Sequence, residues 1–312
     1  MPLIRVLAYS TSANLGPGFD ILAMAHDAYY DIVDILINPS GRGEIKIVSI
    51  EGRYGGDIPL KSNTGYRAAE IFLERYRVKA DIKLRIYKGI PVGMGLGSSG
   101  ATAVAVLKGL RKGLDIDVDI YELVEIAGYA EAEVAGTPHF DNVAAGLLGH
   151  LVLIYSLNPL KIIRLNVNSK FILVVPFIDM PKPKTMVMRE VIPGSIPLNL
   201  AIENMGKALI LLYGLISNEQ RYICEGMCNP YIDELRSGYI DGFNEIKRRL
   251  RRVGVESIVL SGAGPSFIIP YGGPTQYKSV VNEVSRFYRS RDIDVEVKVV
   301  GTSPGSKILR II

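Results

Sequence analysis

The sequence predicts an α+β protein of two domains, and three observations carry that expectation. A chain of 312 residues is longer than an ordinary single domain. Its first half mixes strand-like and helix-like segments. Its second half runs strand, helices, two strands, helix, strand, the order of a split β-α-β sheet backed by helices. The boundary is expected just past Asn158-Pro159, giving residues 1–160 and 161–312.

Partial alternation and β-branched residues predict strands at 4–9, 27–37, 44–50 and 82–87. Helices are expected at 64–76, 99–112, 119–135 and 142–148, with a strand at 150–156. Residues 170–176 (KFILVVP) form a continuous apolar strand, and the polar, proline-marked stretch 179–197 reads as a loop. Helices follow at 198–215, 217–227 and 241–253, then strands at 256–260 and 266–271, a helix at 275–289 and a strand at 293–299.

Apolar residues at 48% and charged residues at 22% describe a folded globular protein. The net charge of +4 is modest, and the basic run Lys247-Arg248-Arg249 with Arg251-Arg252 reads as a solvated helix face, so no nucleic-acid partner is expected. No apolar run reaches the ~18 residues of a membrane span, and the first residues do not resemble a signal peptide. A cytoplasmic protein without a membrane partner is the expectation. Cys224 and Cys228, one helical turn apart, read as reduced thiols. His26, His139 and His150 are scattered, which disfavours metal clusters and histidine triads.

The chemistry gathers in Pro91-Val92-Gly93-Met94-Gly95-Leu96-Gly97-Ser98-Ser99-Gly100-Ala101. Its glycines allow tight folding and close backbone approach to a ligand. Strong helix formers follow, so unpaired amides at a helix start would face the loop and favour a phosphate. Ser98 and Ser99 add hydroxyls for phosphate or metal. The spacing Gly95-x-Gly97-x-x-Gly100 also matches a dinucleotide fingerprint, with Asp115, Asp117 or Asp119 as ribose acid. That match is weakened by Lys88 to Met94, which separate the strand end from Gly95, yet a dinucleotide oxidoreductase stays open. The triphosphate motif Gly-x-x-x-x-Gly-Lys-Ser/Thr does not occur.

Three further runs complete the pattern: Ser12-Ala13-Asn14-Leu15-Gly16-Pro17-Gly18-Phe19-Asp20, joining a strand to a helix-like stretch; Gly136-Thr137-Pro138-His139-Phe140-Asp141-Asn142-Val143; and Ser261-Gly262-Ala263-Gly264-Pro265-Ser266 between two strands. With these in order, the chain resembles the GHMP small-molecule kinases over nearly its whole length. The first two of the three runs resemble the homoserine kinase family within them. The resemblance implies an N-terminal domain with a left-handed β-α-β unit and a ferredoxin-like C-terminal domain, with ATP and substrate between them.

Residue by residue, the resemblance implies adenine contact at Asn63 and phosphate contact around Pro91, Gly93, Gly95, Leu96, Gly97, Ser98, Ser99, Gly100 and Ala101. Mg2+ would sit on Glu131 with a loop serine, Ser99 or Ser98. Glu131 also falls on the apolar stripe of Leu123, Val124, Ala127, Ala130 and Val134, roughly 60° from its centre at ~100° per residue. An inward carboxylate needs a partner, either a metal or a buried cation. On the acceptor side the resemblance implies Asn14 and Asp20 at the amino end of homoserine, Asn142 at its hydroxyl, and Arg189 and Arg236 at its carboxylate. Two guanidinium forks and an acid suit an amino-acid zwitterion. Asp241 departs from the motif, standing where a proline commonly precedes the Gly-Phe/Tyr pair after the second arginine. The expected activity is phosphorylation of homoserine in threonine biosynthesis, with no Asp-Lys base and with Asn142 orienting the hydroxyl. Another kinase of the superfamily, a non-catalytic metabolite-binding protein and a homodimer are also compatible with the resemblance.

Overall fold

The computed structural model describes residues 1–56, 63–135, 138–180 and 184–312, without the side chains of 133–135. Its first half contains β1 (Leu3–Ala13), β2 (Leu22–Asn38), β3 (Ile45–Glu51), α1 (Thr64–Arg75), β4 (Asp81–Tyr87), α2 (Ser98–Gly113), α3 (Ile120–Ala135), α4 (Phe140–Leu148), β5 (Leu151–Leu157) and β6 (Leu160–Leu165). The remainder contains β7 (Phe171–Pro176), α5 (Lys184–Glu190), α6 (Leu198–Ser217), α7 (Gln220–Gly226), α8 (Tyr231–Ser237), α9 (Phe243–Arg252), β8 (Val259–Leu260), β9 (Phe267–Pro270), α10 (Pro274–Arg289), β10 (Val295–Val300) and β11 (Lys307–Ile311).

The first sheet has the order β11-β1-β2-β4-β3, with β5 on β2 and β6 on β5. β3 and β4 run parallel with α1 between them, and β1 and β2 run antiparallel. Small residues let α2 lie close to this sheet. A Cβ at Gly109 would stand 2.2 Å from Ile35 Cδ1, so the helix approaches where only glycine fits. The second sheet, β10-β7-β9-β8, is antiparallel throughout and has the split β-α-β order expected. β7 is buried on both faces. Phe171, Leu173 and Val175 join the core of the first sheet and its helices, while Ile172 and Val174 join a second core with Phe243, Ile246 and Leu250 of α9 and Val280 and Val284 of α10.

Several expectations need correction. The stretch after Asp20 is the start of β2 rather than helix-like, because its apolar residues pair with β1 and β5. The loop expected at 179–197 holds α5, flanked by prolines that mask a seven-residue helix. α8, β6 and β11 are further short elements, and the strand expected at 256–260 shrinks to Val259–Leu260. Both β6 and β11 lie in the first sheet, so the sheets do not follow a single cut at residue 160. α6 is long and apolar enough by length and composition to cross a membrane, with 17% of that window buried. Its two charges, Glu203 and Lys207, interrupt the apolar run read from the sequence and pair with each other at 2.9 Å. The helix is one-sided: Leu211, Gly214 and Leu215 pack inward, while Leu198, Ile202, Met205, Leu209, Tyr213 and Ile216 are exposed.

Candidate active site

A cleft of about 220 Å³ lies where β1, α2, α4, α5, α8 and the β8–β9 loop meet. Its floor is the loop before α2. Gly93, Gly95 and Gly97 all have positive φ (77°, 76° and 65°), and no side chain caps α2, whose first amides face the loop. The loop is wedged against its neighbours. A Cβ at Gly97 would stand 1.9 Å from Thr11 Oγ1, and one at Gly95 2.2 Å from the Ser261 carbonyl oxygen.

Buried hydroxyls and backbone hold this wedge. Ser12 and Ser261 share a hydrogen bond of 2.7 Å, and Ser261 donates to the Gly95 carbonyl at 2.7 Å. The Thr11 amide donates to Leu96, and the Gly262 amide to Ala13. Beneath α2, Lys88 pairs with Asp31 and donates to the Ser98 carbonyl at 2.8 Å and Thr102 Oγ1 at 2.9 Å. Asp31 in turn accepts from the Gly89 and Ile90 amides, both at 2.9 Å. Charges this deeply buried are tolerable because every partner is supplied.

Behind the floor, Glu131 lies inward as its stripe predicts, with Leu123, Val124, Ala127 and Ala130 buried beside it; the Val134 side chain lies outside those described. Among the described residues its partners are not cations: Ser99 Oγ and the Gly100 amide donate to it. Burial pushes its pKa up to about 7 against those bonds. A carboxylate so desolvated, with a hydroxyl beside it and a phosphate site in front, fits a small hard cation that keeps phosphate oxygens and water as further ligands. Ser98 fits less well, since its hydroxyl donates to the Ile90 carbonyl at 3.1 Å.

The opposite wall is made of side chains. Asn14, at φ 72°, donates to the Gly262 carbonyl at 3.1 Å and accepts from the Asp20 amide at 3.1 Å. Arg236, buried, donates to the same Gly262 carbonyl at 3.2 Å and to Met188 at 2.9 Å. Arg189 pairs with Asp20. The two guanidinium carbons lie 5.0 Å and 5.1 Å from the Phe19 ring centroid, so one aromatic ring sets both. Asn142 accepts from Thr11 Oγ1 at 2.7 Å, joining α4 to β1. Asp141 beside it is buried, and desolvation, then Asp20's charge, raise its pKa to about 7.

The cleft therefore gathers Asn14, Asp20, Pro91, Gly93, Gly95, Leu96, Gly97, Ser98, Ser99, Glu131, Asn142 and Arg236. Arg189 stands at its edge through Asp20. Asn63 does not line it: its side chain caps α1 through the Gly65 amide at 2.9 Å, while Thr64 Oγ1 binds the Ser99 carbonyl. Gly136 and Thr137 of the quoted run, and Lys61 and Ser62 just before Asn63, lie outside the described residues. Sequence reasoning missed Thr11, Phe19, Asp31, Lys88, Asp141 and Lys184 as site residues. Asp31 carried a readable signal, being a charge in alternation with Tyr29, Val33, Ile35 and Ile37, and Lys88 continues the apolar face of Ile82, Leu84 and Ile86 one residue past β4. Lys184 stands five residues before Arg189 in the sequence.

A glycine loop opening a buried helix, with an acid behind its serine, defines a phosphate-handling site of the GHMP kinase type. Residues 63–150 match the family described as GHMP kinases N terminal domain. Homoserine kinase of Pyrobaculum aerophilum is 34% identical over 96% of this chain and 98% of its own. That of Aeropyrum pernix is 35% identical over 85% of each. The crystal structure of homoserine kinase from Cytophaga hutchinsonii aligns with a TM-score of 0.87 at 27% identity, covering 98% of this chain and 97% of that one. L. major mevalonate kinase shares the fold, with a TM-score of 0.71 at 16% identity over 96% and 95%. The chain belongs to the homoserine kinase family. The dinucleotide reading of Gly95, Gly97 and Gly100 falls with this, since β4, the strand before the loop, pairs antiparallel with β2 rather than lying within a doubly wound parallel sheet.

Proposed function

We propose that this chain transfers the terminal phosphoryl group of ATP to the hydroxyl of homoserine, giving O-phosphohomoserine for threonine biosynthesis. The observation that carries the reading is one cleft with an amide-rich phosphate floor on one side and the Asp20–Arg189 pair beside Arg236 on the other. A zwitterion would take the place of that ion pair, its ammonium on Asp20 with Asn14 and its carboxylate on Arg189 and Arg236. The amides from Gly95 to Ser99 would hold the phosphates, with Gly100 and Ala101 closing the loop behind them, and Asn63 would touch the adenine. Glu131 and Ser99, with Ser98 adjoining, would hold Mg2+, which supplies charge neutralisation at the phosphates. Asn142, its carbonyl already engaged by Thr11, would turn its amide group to the acceptor hydroxyl, whose proton leaves to a phosphate oxygen or water.

In this reading the first sheet and its helices, mostly residues 1–160 with β6 and β11 added, carry the nucleotide, and the rest of 161–312 closes over the acceptor. The enzyme acts in the cytoplasm on homoserine and ATP, with neither nucleic acid nor membrane as partner. Within the basic run Lys247 is buried and Arg249 pairs with Glu245, as a packed helix face does. The exposed residues Leu198, Ile202, Met205, Leu209, Tyr213 and Ile216 are spaced by threes and fours, which suits the same stripe of a second copy across a two-fold axis. A homodimer through α6 follows, and an unchanged light-scattering mass in Leu209→Glu would remove it.

The direct test is a coupled ADP-release assay with homoserine, threonine, serine, mevalonate, pantoate and shikimate as acceptors. Homoserine is expected to give the highest kcat/KM. Preference for any other acceptor overturns the reading.

A further inference from the structure

Lys184 begins α5, and its ammonium donates to the carbonyl oxygens of Gly93 and Gly264, each 2.7 Å away. One side chain thus bridges the phosphate loop and the third glycine loop, standing in the cleft wall beside Thr185 and Arg236. Both partners are neutral. Among the described residues no carboxylate pairs with Lys184, and the charge that acts on it is that of Arg236. Burial, and secondarily Arg236, lower its pKa to about 7. An ammonium offers three donors, so a third remains. A cation placed at the lip of a phosphate floor, with neutral partners and a second cation nearby, is matched by an anion entering the cleft.

We propose that Lys184 is a further phosphate-binding residue, contacting the terminal phosphoryl group of a nucleoside triphosphate seated on the 91–101 loop and staying on it during transfer. The proposal rests on the kinase reading only in requiring a triphosphate on that loop; the identity of the acceptor does not enter. Through Gly93 and Gly264 the same side chain makes the position of both loops depend on whether the terminal phosphate is present. It adds no chemical step: the bond formed is still acceptor oxygen to phosphorus, and the bond broken is still phosphorus to the bridging oxygen of ADP.

The test compares equilibrium affinities for ADP and for the non-hydrolysable triphosphate adenylyl imidodiphosphate, without acceptor, in wild type, Lys184→Met and Lys184→Arg. Lys184→Met should weaken the triphosphate by about tenfold or more while ADP changes by less than about threefold, and Lys184→Arg should restore most of the difference. Equal weakening of both nucleotides, or of neither, overturns the proposal and leaves Lys184 as a strut between loops. Should Lys184→Met fail to fold, Lys184→Gln, which still donates to a carbonyl, carries the same comparison. A wild-type protein that binds neither nucleotide overturns the kinase reading and this proposal together. Nucleotide binding with the ratio unchanged in the variants overturns this proposal alone.

Discussion

The phosphate floor and the acceptor wall face each other across one cleft, yet they are held by different means. In the floor the contacts are backbone amides, glycines at positive φ and buried hydroxyls, from Thr11 and Ser12 through Ser261 to Gly95. In the wall they are charged side chains, with Asp20 and Arg189 partly exposed and paired to each other. Phosphate is common to many reactions, so a rigid cradle of amides can serve it once formed. An acceptor has to be distinguished from its analogues, and that is done by groups which exchange a protein partner for a ligand partner. The floor is thereby preorganised and the wall exchangeable.

The largest expected effect breaks the floor. Gly97→Ala puts a methyl group 1.9 Å from Thr11 Oγ1 on a backbone at φ 65°. The loop has to move off β1 or adopt a strained conformation costing about 1–3 kcal/mol. Turnover should fall by about a hundredfold or more, with a lower melting temperature. Steady-state kinetics and thermal unfolding check both, and full turnover would show that the wedge against β1 is dispensable. Next in size is Asn142→Ala, on the seam between floor and wall. It removes the proposed hydroxyl-orienting amide and leaves the phosphate cradle in place, so kcat should fall by about 10- to 100-fold with the KM for ATP little changed. Full turnover in this variant would remove Asn142 from the mechanism.

The same division explains what could be read from sequence. The floor was legible because glycine spacing, serine and a following helix are local features, and the inward position of Glu131 followed from the period of its own helix. The second sheet was legible because its order of strands and helices is a pattern along the chain. The wall was less so. That Phe19 sits under two guanidiniums is a meeting of residues more than a hundred positions apart, and that Arg236 reaches the Gly262 carbonyl joins a helix to a loop beyond the next helix; both depend on packing. Lys184 and Thr185 stand on a helix of seven residues among prolines, too short for a period to show. β11 was missed for a related reason: KILRI gains its identity from pairing with β1 at the opposite end of the chain.

Substitutions at the two arginines sharpen the comparison, because they differ in how far each belongs to the floor. Arg189 is partly exposed and bound to Asp20, while Arg236 is buried and supports Met188 and Gly262 through their carbonyls. Arg189→Met should raise the KM for homoserine by about 10- to 100-fold with little loss of stability. Arg236→Met should raise it by a similar factor and also lower the melting temperature, since the Met188 carbonyl loses its donor and the Gly262 carbonyl keeps only Asn14. Equal melting temperatures for the two variants would place Arg236 wholly in the exchangeable wall.

The smallest expected effect lies beneath the floor, on stability rather than turnover. His26 is fully buried, with Ser10 Oγ 3.1 Å from Nδ1 and Ser12 Oγ 3.2 Å from Nε2. Ser12 continues through Ser261 to the Gly95 carbonyl, so the imidazole anchors one end of the chain that braces the loop. Burial lowers its pKa to about 3, outweighing the Thr11 backbone bond that raises it, and Lys298 lowers it further. An unfolded histidine titrates near 6.5, at about the ordinary value. As pH falls from about 6.5 towards 3 the unfolded chain takes up a proton that the folded chain refuses, so stability drops across that window and is fully present above it. Asp233, buried and raised to about 7, has the opposite slope, costing stability as pH rises from its ordinary range towards 7. The histidine is isolated by comparing wild type with His26→Gln, which keeps a polar group for both serines but does not titrate. The variant should melt lower at pH 7, and the gap should narrow steadily between pH 6.5 and 4. A gap that stays constant with pH would mean that the folded imidazole takes up its proton over the same range as the unfolded one, and the brace would then become charged below about pH 6.5.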